Sequence, residues 1–326
     1  MSGQYASPPR RPATAHRRYL VEAMCGALAL FAASLIACAW VDPYGERDDT
    51  QIHFVSRPVT IAKYRRILGE TQQTLVFGTS RSHQFSDQFL GESVLNLHAV
   101  YGHPTSVLAF LKTLSVSQRR NISRIVYLLD LHTFRPDGPI IDRYYESPAD
   151  VLRYHLTNLR GYGRDSINHL RLLWSGAHAM HLHPRGFLVQ DRPLTFDGIG
   201  RDTPDSQDFD PAIVKRLAEV KVFAETNSIE IRFITPVFSD IHLRRLDASR
   251  LIAQRRTFAA TIGSYAELSH FPGISDRPEL FRDESHLNAD GLHALFATYP
   301  WPERRVDAET MEPLMRDLAG ATGTGG

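Results

Sequence analysis

Beyond position 38 the chain has no cysteine: its two, Cys25 and Cys38, both fall in one apolar stretch near the N-terminus. The remainder therefore has no internal disulfide and no thiol nucleophile, and it is compatible with an oxidising compartment. Net charge is also nearly absent, +1 from 37 basic and 36 acidic residues, and the basic residues form no long stripe. An extended nucleic-acid footprint is thus without electrostatic support, and the chain is not an acidic, solvating one. No segment repeats at a solenoid-like period. What is present, 326 residues with 43% apolar and 22% charged, is globular material able to bury a sizeable core.

Apolarity is concentrated in one place. Arg10, Arg11, Arg17 and Arg18 precede an almost unbroken apolar run from Tyr19 to Val41, interrupted only by Glu22 near its start. At about 1.5 Å of rise per residue, a helix of roughly 20 residues crosses the hydrocarbon of a bilayer, so the run predicts a single transmembrane helix. Its boundaries are 19–41, and the lipid bilayer is its partner. The arginines hold the basic tail 1–18 in the cytoplasm and place everything after Asp42 outside a bacterial-type cytoplasmic membrane, in the periplasm or beyond. Glu22 lies one turn into the run, near the headgroups, where its charge stays hydrated. Two other readings fit the segment. A cleaved secretory signal is opposed by the length of the run and the lack of a small-x-small site. Lipoprotein processing at Leu35-Ile36-Ala37-Cys38 is opposed by the apolar Ala39-Trp40-Val41 that would then begin the mature chain.

Asp42-Pro43-Tyr44-Gly45 ends the run with turn residues, and 42–73 reads as a linker and lead-in to one α/β domain over 74–300. Strands are predicted at Thr74 to Phe77, Ser93 to His98, Ile125 to Leu131 and Ile229 to Val237. The near-continuous apolarity of Ile125 to Leu131 suits a parallel sheet covered on both faces. Helices are predicted at Pro104 to Leu114, Pro211 to Thr226, Leu246 to Ile262 and Asp290 to Ala297. The stretch at about 135–210 breaks this alternation and reads as an insertion, with Tyr144-Tyr145, a helix from Pro148 through Trp174, and a turn-rich tail. A C-terminal tail, 301–326, ends in frayed Gly and Thr residues.

The chemical signal begins at Gly78-Thr79-Ser80. A serine directly after a buried strand, in a turn leading to a helix, projects its oxygen above the carboxyl edge of a sheet, where open α/β sheets keep their sites. Its own N–H, at a helix start, can face developing negative charge. Plain turns and phosphate loops share the Gly-x-Ser pattern, but no Lys follows Ser80 as a phosphate loop of the familiar type requires. Near the domain's end comes Asp283-Glu284-Ser285-His286-Leu287-Asn288-Ala289-Asp290-Gly291. Three residues apart in a turn, the Asp283 carboxylate can hold one nitrogen of His286 while the other faces Ser80, giving nucleophile, base and orienter. A helix-capping carboxylate beside a surface histidine is the alternative for that segment.

From Thr74 to Ala297 the chain resembles the SGNH, or GDSL-like, hydrolase superfamily. Its first block, Gly-Asp-Ser, corresponds to Gly78-Thr79-Ser80; its second, a glycine after the second strand, to Gly102 in Asn96-Leu97-His98-Ala99-Val100-Tyr101-Gly102; its last, Asp-x-x-His, to Asp283 and His286, with Gly291 following. The third block ends Gly-x-Asn-Asp in the family, whereas this chain has Leu129-Asp130-Leu131-His132. The Asn donor is thus absent, an ionised Asp130 cannot donate, and His132 has an N–H that can. Within the superfamily the chain is similar to membrane-anchored members related to the D-alanine transfer protein of teichoic acid modification and to polysaccharide O-acetylation proteins. The resemblance implies a flavodoxin-like three-layer fold with five mainly parallel strands. It further implies catalysis by Ser80, His286 and Asp283, an oxyanion hole from Ser80, Gly102 and His132, and no cofactor.

Other residue types are open to two uses. Arg81 can bind an anionic group on a substrate or pair with a helix face. Tyr144, Tyr145, Arg153, Tyr154 and Trp174 can contact sugars or pack a lid. His178, His181 and His183 lack the carboxylate base of a His-Glu-x-x-His zinc site, and Pro184 suggests a helix end there instead of a metal site. Three functions follow: an O-acyltransferase acting through an acyl-serine on a cell-envelope glycan, with a membrane protein supplying acyl groups; a serine esterase or deacetylase of the same substrates; and a silent, tethered glycan-binding or scaffold protein. The charge asymmetry about 19–41 predicts that a reporter fused at the C-terminus is active only in a periplasmic format. Activity of that fusion in the cytoplasm would reverse the topology.

Overall fold

The computed structural model describes residues 13–47, 57–91, 93–97, 102–135, 148–176, 180–190 and 208–305. Arg10, Arg11, residues 98–101, Tyr144, Tyr145, His178, the turn-rich stretch 191–207 and the tail from 306 lie outside them.

Helix α1, Ala13–Val41, contains a span from Arg17 to Val41 long and apolar enough to cross a membrane, of which only 6% is buried in protein. A core helix of this apolarity would be mostly covered. It stops at Asp42, whose φ of +51° is the left-handed conformation that ends helices. Asp accepts that conformation because its short side chain bonds local backbone, here the N–H groups of Glu46 at 2.6 Å and Arg47 at 3.0 Å.

After α2 (Arg57–Glu70) come β1 (Gln73–Phe77), α3 (Asp87–Leu90), β2 (Val94–Asn96), α4 (Pro104–Thr113), α5 (Val116–Arg120) and β3 (Ile122–Leu128). The insertion supplies α6 (Pro148–Thr157), α7 (Leu159–Ser175), β4 (Met180–Leu182) and β5 (Leu188–Gln190). Then follow α8 (Pro211–Thr226), β6 (Glu230–Ile234), α9 (Asp240–Leu243), α10 (Ala248–Ile262), β7 (Ser264–Tyr265), β8 (Phe281–Asp283), β9 (His286–Leu287), α11 (Ala289–Phe296) and β10 (Arg304–Arg305). The fold is mixed α/β around a four-stranded parallel sheet in the order β2-β1-β3-β6.

Period-two alternation divides the core between the sheet's two faces. Leu75, Phe77, Ile125, Tyr127 and Phe233 join a cluster with apolar residues of α2, α4, α8 and α10. Val76, Val126, Leu128 and Ile234 join a second with Phe85, Leu287 and the apolar side of α11. Strands buried on both faces are why these segments read as continuous apolar runs.

Several boundaries differ from the sequence expectation. Strand β3 runs Ile122–Leu128, not to Leu131, because Leu131–Phe134 curls into a 3-10 turn. The long helix expected from Pro148 is interrupted at Asn158, whose backbone (φ −114°, ψ 30°) leaves the helical region, and Asn is among the weaker helix formers. His181 lies in the antiparallel β4–β5 hairpin, turned at Pro184 and at Gly186 with φ +87°, and not at a helix end. At the place of a fifth strand there is one parallel bridge, Ile234 to Ala266. The ladder stops there because the next donor, the Leu268 N–H, is taken up at 2.6 Å by the Thr235 hydroxyl and not by the backbone carbonyl.

That edge is tied to α10 by Arg255 and Glu267, 3.0 Å apart, at 0% and 1% side-chain exposure. Arg255 also donates to Ser269 Oγ at 2.7 Å, and Glu267 accepts from the Ser269 N–H at 3.0 Å. Stripping one partner from such a pair leaves an uncompensated buried charge. Glu267→Ala is expected to destabilise the domain by about 3–5 kcal/mol, read as a shifted denaturation midpoint with an unchanged slope.

Candidate active site

The chain leaves β1 at Phe77 and turns at Gly78, which sits so close to Ser82 and Leu128 that a Cβ there would fall 2.6 Å from Ser82 Oγ. Gly102 approaches from the loop after β2; a Cβ on it would lie 2.9 Å from Gly78 Cα. Glycine is thus required at 102 by the Gly78 backbone and at 78 by the Ser82 and Leu128 side chains. The Gly102 N–H donates to the Gly78 carbonyl at 3.1 Å, and the Gly102 carbonyl accepts from the buried Tyr127 hydroxyl. Gly102, expected as an oxyanion donor, therefore has its N–H engaged in holding the Ser80 turn.

Ser80 opens the 3-10 turn Ser80–Ser82 and is exposed. Its Oγ lies 2.8 Å from His286 Nε2, and His286 Nδ1 lies 2.8 Å from Asp283 Oδ1. Since an ionised carboxylate only accepts, Nδ1 carries the proton and Nε2 is left to receive that of the serine. The Ser80 backbone N–H donates to nothing among the described residues.

Asp283 and His286 face each other across the β8–β9 hairpin, with Glu284 and Ser285 at its tip. Asp283 Oδ1 accepts from the backbone N–H groups of Ser285 and His286, each at 2.9 Å, so one oxygen shapes the turn and orients the imidazole together. Neighbours fix the tip from outside. The buried Glu284 carboxylate pairs with Arg245, and its carbonyl accepts from Ser239 Oγ at 2.7 Å. Asn288 then caps α11, accepting from the Gly291 N–H at 3.0 Å. Behind the imidazole the wall is apolar, formed by Leu128, Val237, Leu268, Leu287, Leu292 and Leu295.

Arg81, open to a substrate contact or a structural pairing, is buried and structural. Its side chain is 6% exposed, its Nη1 donates to Asp130 Oδ1 at 2.6 Å and its Nε to the Ser285 carbonyl at 3.1 Å. The guanidinium also lies over the Phe238 ring, 5.1 Å from its centroid. Asp130, at 0% exposure, accepts from the Thr79 hydroxyl as well. The Asp130 charge is therefore paired with Arg81 beneath the Ser80 turn. His132 is half-buried on the 3-10 turn that follows.

The insertion reaches the same region through its hairpin. The Leu188 N–H donates to the His83 carbonyl at 2.5 Å, and the Asn96 N–H to the Arg185 carbonyl at 2.9 Å. His183 stacks on Phe187 at 4.2 Å, and burial lowers its pKa. Among the described residues no group of three or more His, Cys, Asp and Glu side chains is placed to hold a metal. Sequence reasoning missed Thr79, Arg245, Glu284 and Ser285; nothing local marks them, because each acts through a partner distant in the chain or through backbone.

Burial alone would push the Asp283 carboxyl up, but the hydrogen bond and charge of His286, the Ser285 N–H and Arg282 outweigh it and hold the pKa well below the ordinary carboxylate value. A depressed folded-state pKa gives stability that is present above the unfolded value, about 3.9, and lost as pH falls through the folded one. The melting-temperature gap between the native chain and Asp283→Asn should therefore be open above about pH 4 and close as pH falls below it. A gap that widens as pH falls below about 4 would show that Asp283 is not held as the anion.

No family model matches the chain, and neither does any curated protein.

Proposed function

We propose that the chain is a serine-dependent O-acyltransferase of a cell-envelope glycan. In this reading it is held to the outer face of the cytoplasmic membrane by α1 and built on a flavodoxin-like, SGNH-type domain whose fifth strand is reduced to the bridge at Ala266. The observation that carries the reading is the relay of Ser80 Oγ, His286 and Asp283, with both contacts at 2.8 Å.

In the proposed reaction His286 Nε2 takes the Ser80 proton as Oγ attacks an ester carbonyl, and Asp283 stabilises the imidazolium that forms. The tetrahedral oxyanion forms beside the Ser80 N–H, with His132 as a second donor. Collapse expels the donor alcohol, which takes the proton from His286, and leaves an acyl-serine. A sugar hydroxyl, deprotonated by the same imidazole, then attacks the acyl carbon and releases Ser80. The resemblance to membrane-anchored O-acetylation proteins favours transfer, with a membrane protein supplying the acyl group. Esterase action is the second reading, and the exposure of Ser80 favours it, since water reaches the acyl carbon unless an acceptor excludes it.

The test uses the purified full chain with an activated acetyl ester, with and without a glucan or uronan oligosaccharide. Transfer predicts acetylated oligosaccharide, and hydrolysis predicts free acetate alone. In either case Ser80→Ala and His286→Ala should each lower turnover by about 10⁴-fold or more. Asp283→Ala should be worse than Asp283→Asn, because Asn keeps an oxygen for the three N–H groups that converge there. Undiminished turnover in a folded Ser80→Ala chain would refute serine catalysis.

A further inference from the structure

Helix α7 has three unlike sides. Tyr162, Ser166 and His169 are buried, and with Cys38 and Tyr44 they mark the side that packs on the outer end of α1; Tyr44 Oη donates to Asp165 Oδ2 at 2.9 Å across this contact. A second side is apolar and bare. Ile167, Leu170 and Leu173 are 54%, 44% and 50% exposed, and Trp174 is 94% exposed. At about 100° per residue these four share one sector with Leu159. A third, narrow side adjoining that sector carries Arg160, Arg164 and Arg171, all exposed; among the described residues only Arg164 has an acidic neighbour, Asp165 at 3.1 Å.

A soluble surface does not leave a fully exposed Trp beside three bare aliphatics on one helix. Arginines beside an apolar sector, with Trp at its end, are the pattern of a helix lying in a membrane interface: the ring seats among headgroups and guanidinium groups reach lipid phosphates. Position selects the occupant. Among the described residues one span is able to cross a bilayer, and α7 is packed on its last turns, where Trp40 is itself 74% exposed, so that contact holds α7 near the level where the span leaves the hydrocarbon.

We infer that α7 is a second membrane attachment, lying in the interface of the bilayer that α1 crosses. Ile167, Leu170, Leu173 and Trp174 enter the acyl boundary, and Arg160, Arg164 and Arg171 bind anionic phospholipid headgroups. The inference rests on the anchored reading of α1. Its consequence is orientation: one helix leaves the domain free to swivel, whereas a crossing helix and an interfacial one fix which way the sheet's carboxyl edge faces.

Tryptophan quenching by lipids brominated along their acyl chains tests it in the full chain, reconstituted in phosphatidylcholine–phosphatidylglycerol vesicles. Trp301 is buried and gives a common background. Trp40→Phe leaves Trp174 as the reporter of α7, and Trp174→Phe leaves Trp40 as the reporter of α1. The expected result is loss of emission in both variants relative to the Trp40→Phe, Trp174→Phe double variant. Quenching of Trp40 with none of Trp174 would overturn the α7 attachment alone, placing that face in water, on a second copy or on a protein partner. Absence of quenching in both would overturn the anchored reading and the α7 attachment with it.

Discussion

A guanidinium removed from water must find a counter-charge and acceptors, and the position of the Ser80 turn follows from where Arg81 finds them. Its carboxylate is Asp130 at the end of β3, its carbonyl acceptor is Ser285 in the β8–β9 hairpin, and its flat face lies on Phe238. Thr79, on the other side of the serine, donates to the same Asp130. The residues before and after Ser80 are thus held by one buried anion, and the second of them holds the histidine loop. A buried pair of this kind adds little net stability over an apolar replacement, but it tolerates few geometries. That selectivity is what brings an oxygen and a nitrogen 206 residues apart in sequence to 2.8 Å.

The histidine loop is organised from within and from outside. One Asp283 oxygen gathers three N–H groups, and Glu284 and Ser285 attach the tip to Arg245, Ser239 and Arg81. On the far side of the serine turn, the contact of Gly78 and Gly102 admits no side chain. Ser80 is left exposed above a rigid floor, the arrangement that preorganised catalysis asks of a nucleophile.

Much of this was legible wherever the determinant is local. Asp210 followed by Pro211 marks the start of α8, and the Asp210 side chain does accept from the Ala212 N–H at 2.7 Å. Ser80, Asp283 and His286 stood out because each pairs a reactive side chain with a turn. Arg81 could not be read, because its partner lies 49 residues away and an arginine beside a serine looks the same on a surface as in a core. Asp130 was legible only as a departure from a pattern, while its burial reverses what its charge does. The interruption at Asn158 is a one-residue backbone departure and the end of the ladder at Thr235 is set by a single side-chain hydrogen bond, neither of which apolar periodicity registers.

If the Arg81–Asp130 pair holds Ser80 in contact with His286, removing it must loosen that contact. The direct measurement is the rate of fluorophosphonate attachment to Ser80 in the native chain and in a variant combining Arg81→Met with Asp130→Leu. That combination removes both charges together, so no lone buried ion is left to unfold the domain. The native chain should be labelled at Ser80 and the folded double variant should react about ten-fold more slowly or worse, with the donor to the Ser285 carbonyl and the acceptor for Thr79 both gone. Labelling of the double variant at the native rate, or a native chain that takes no label, would contradict it.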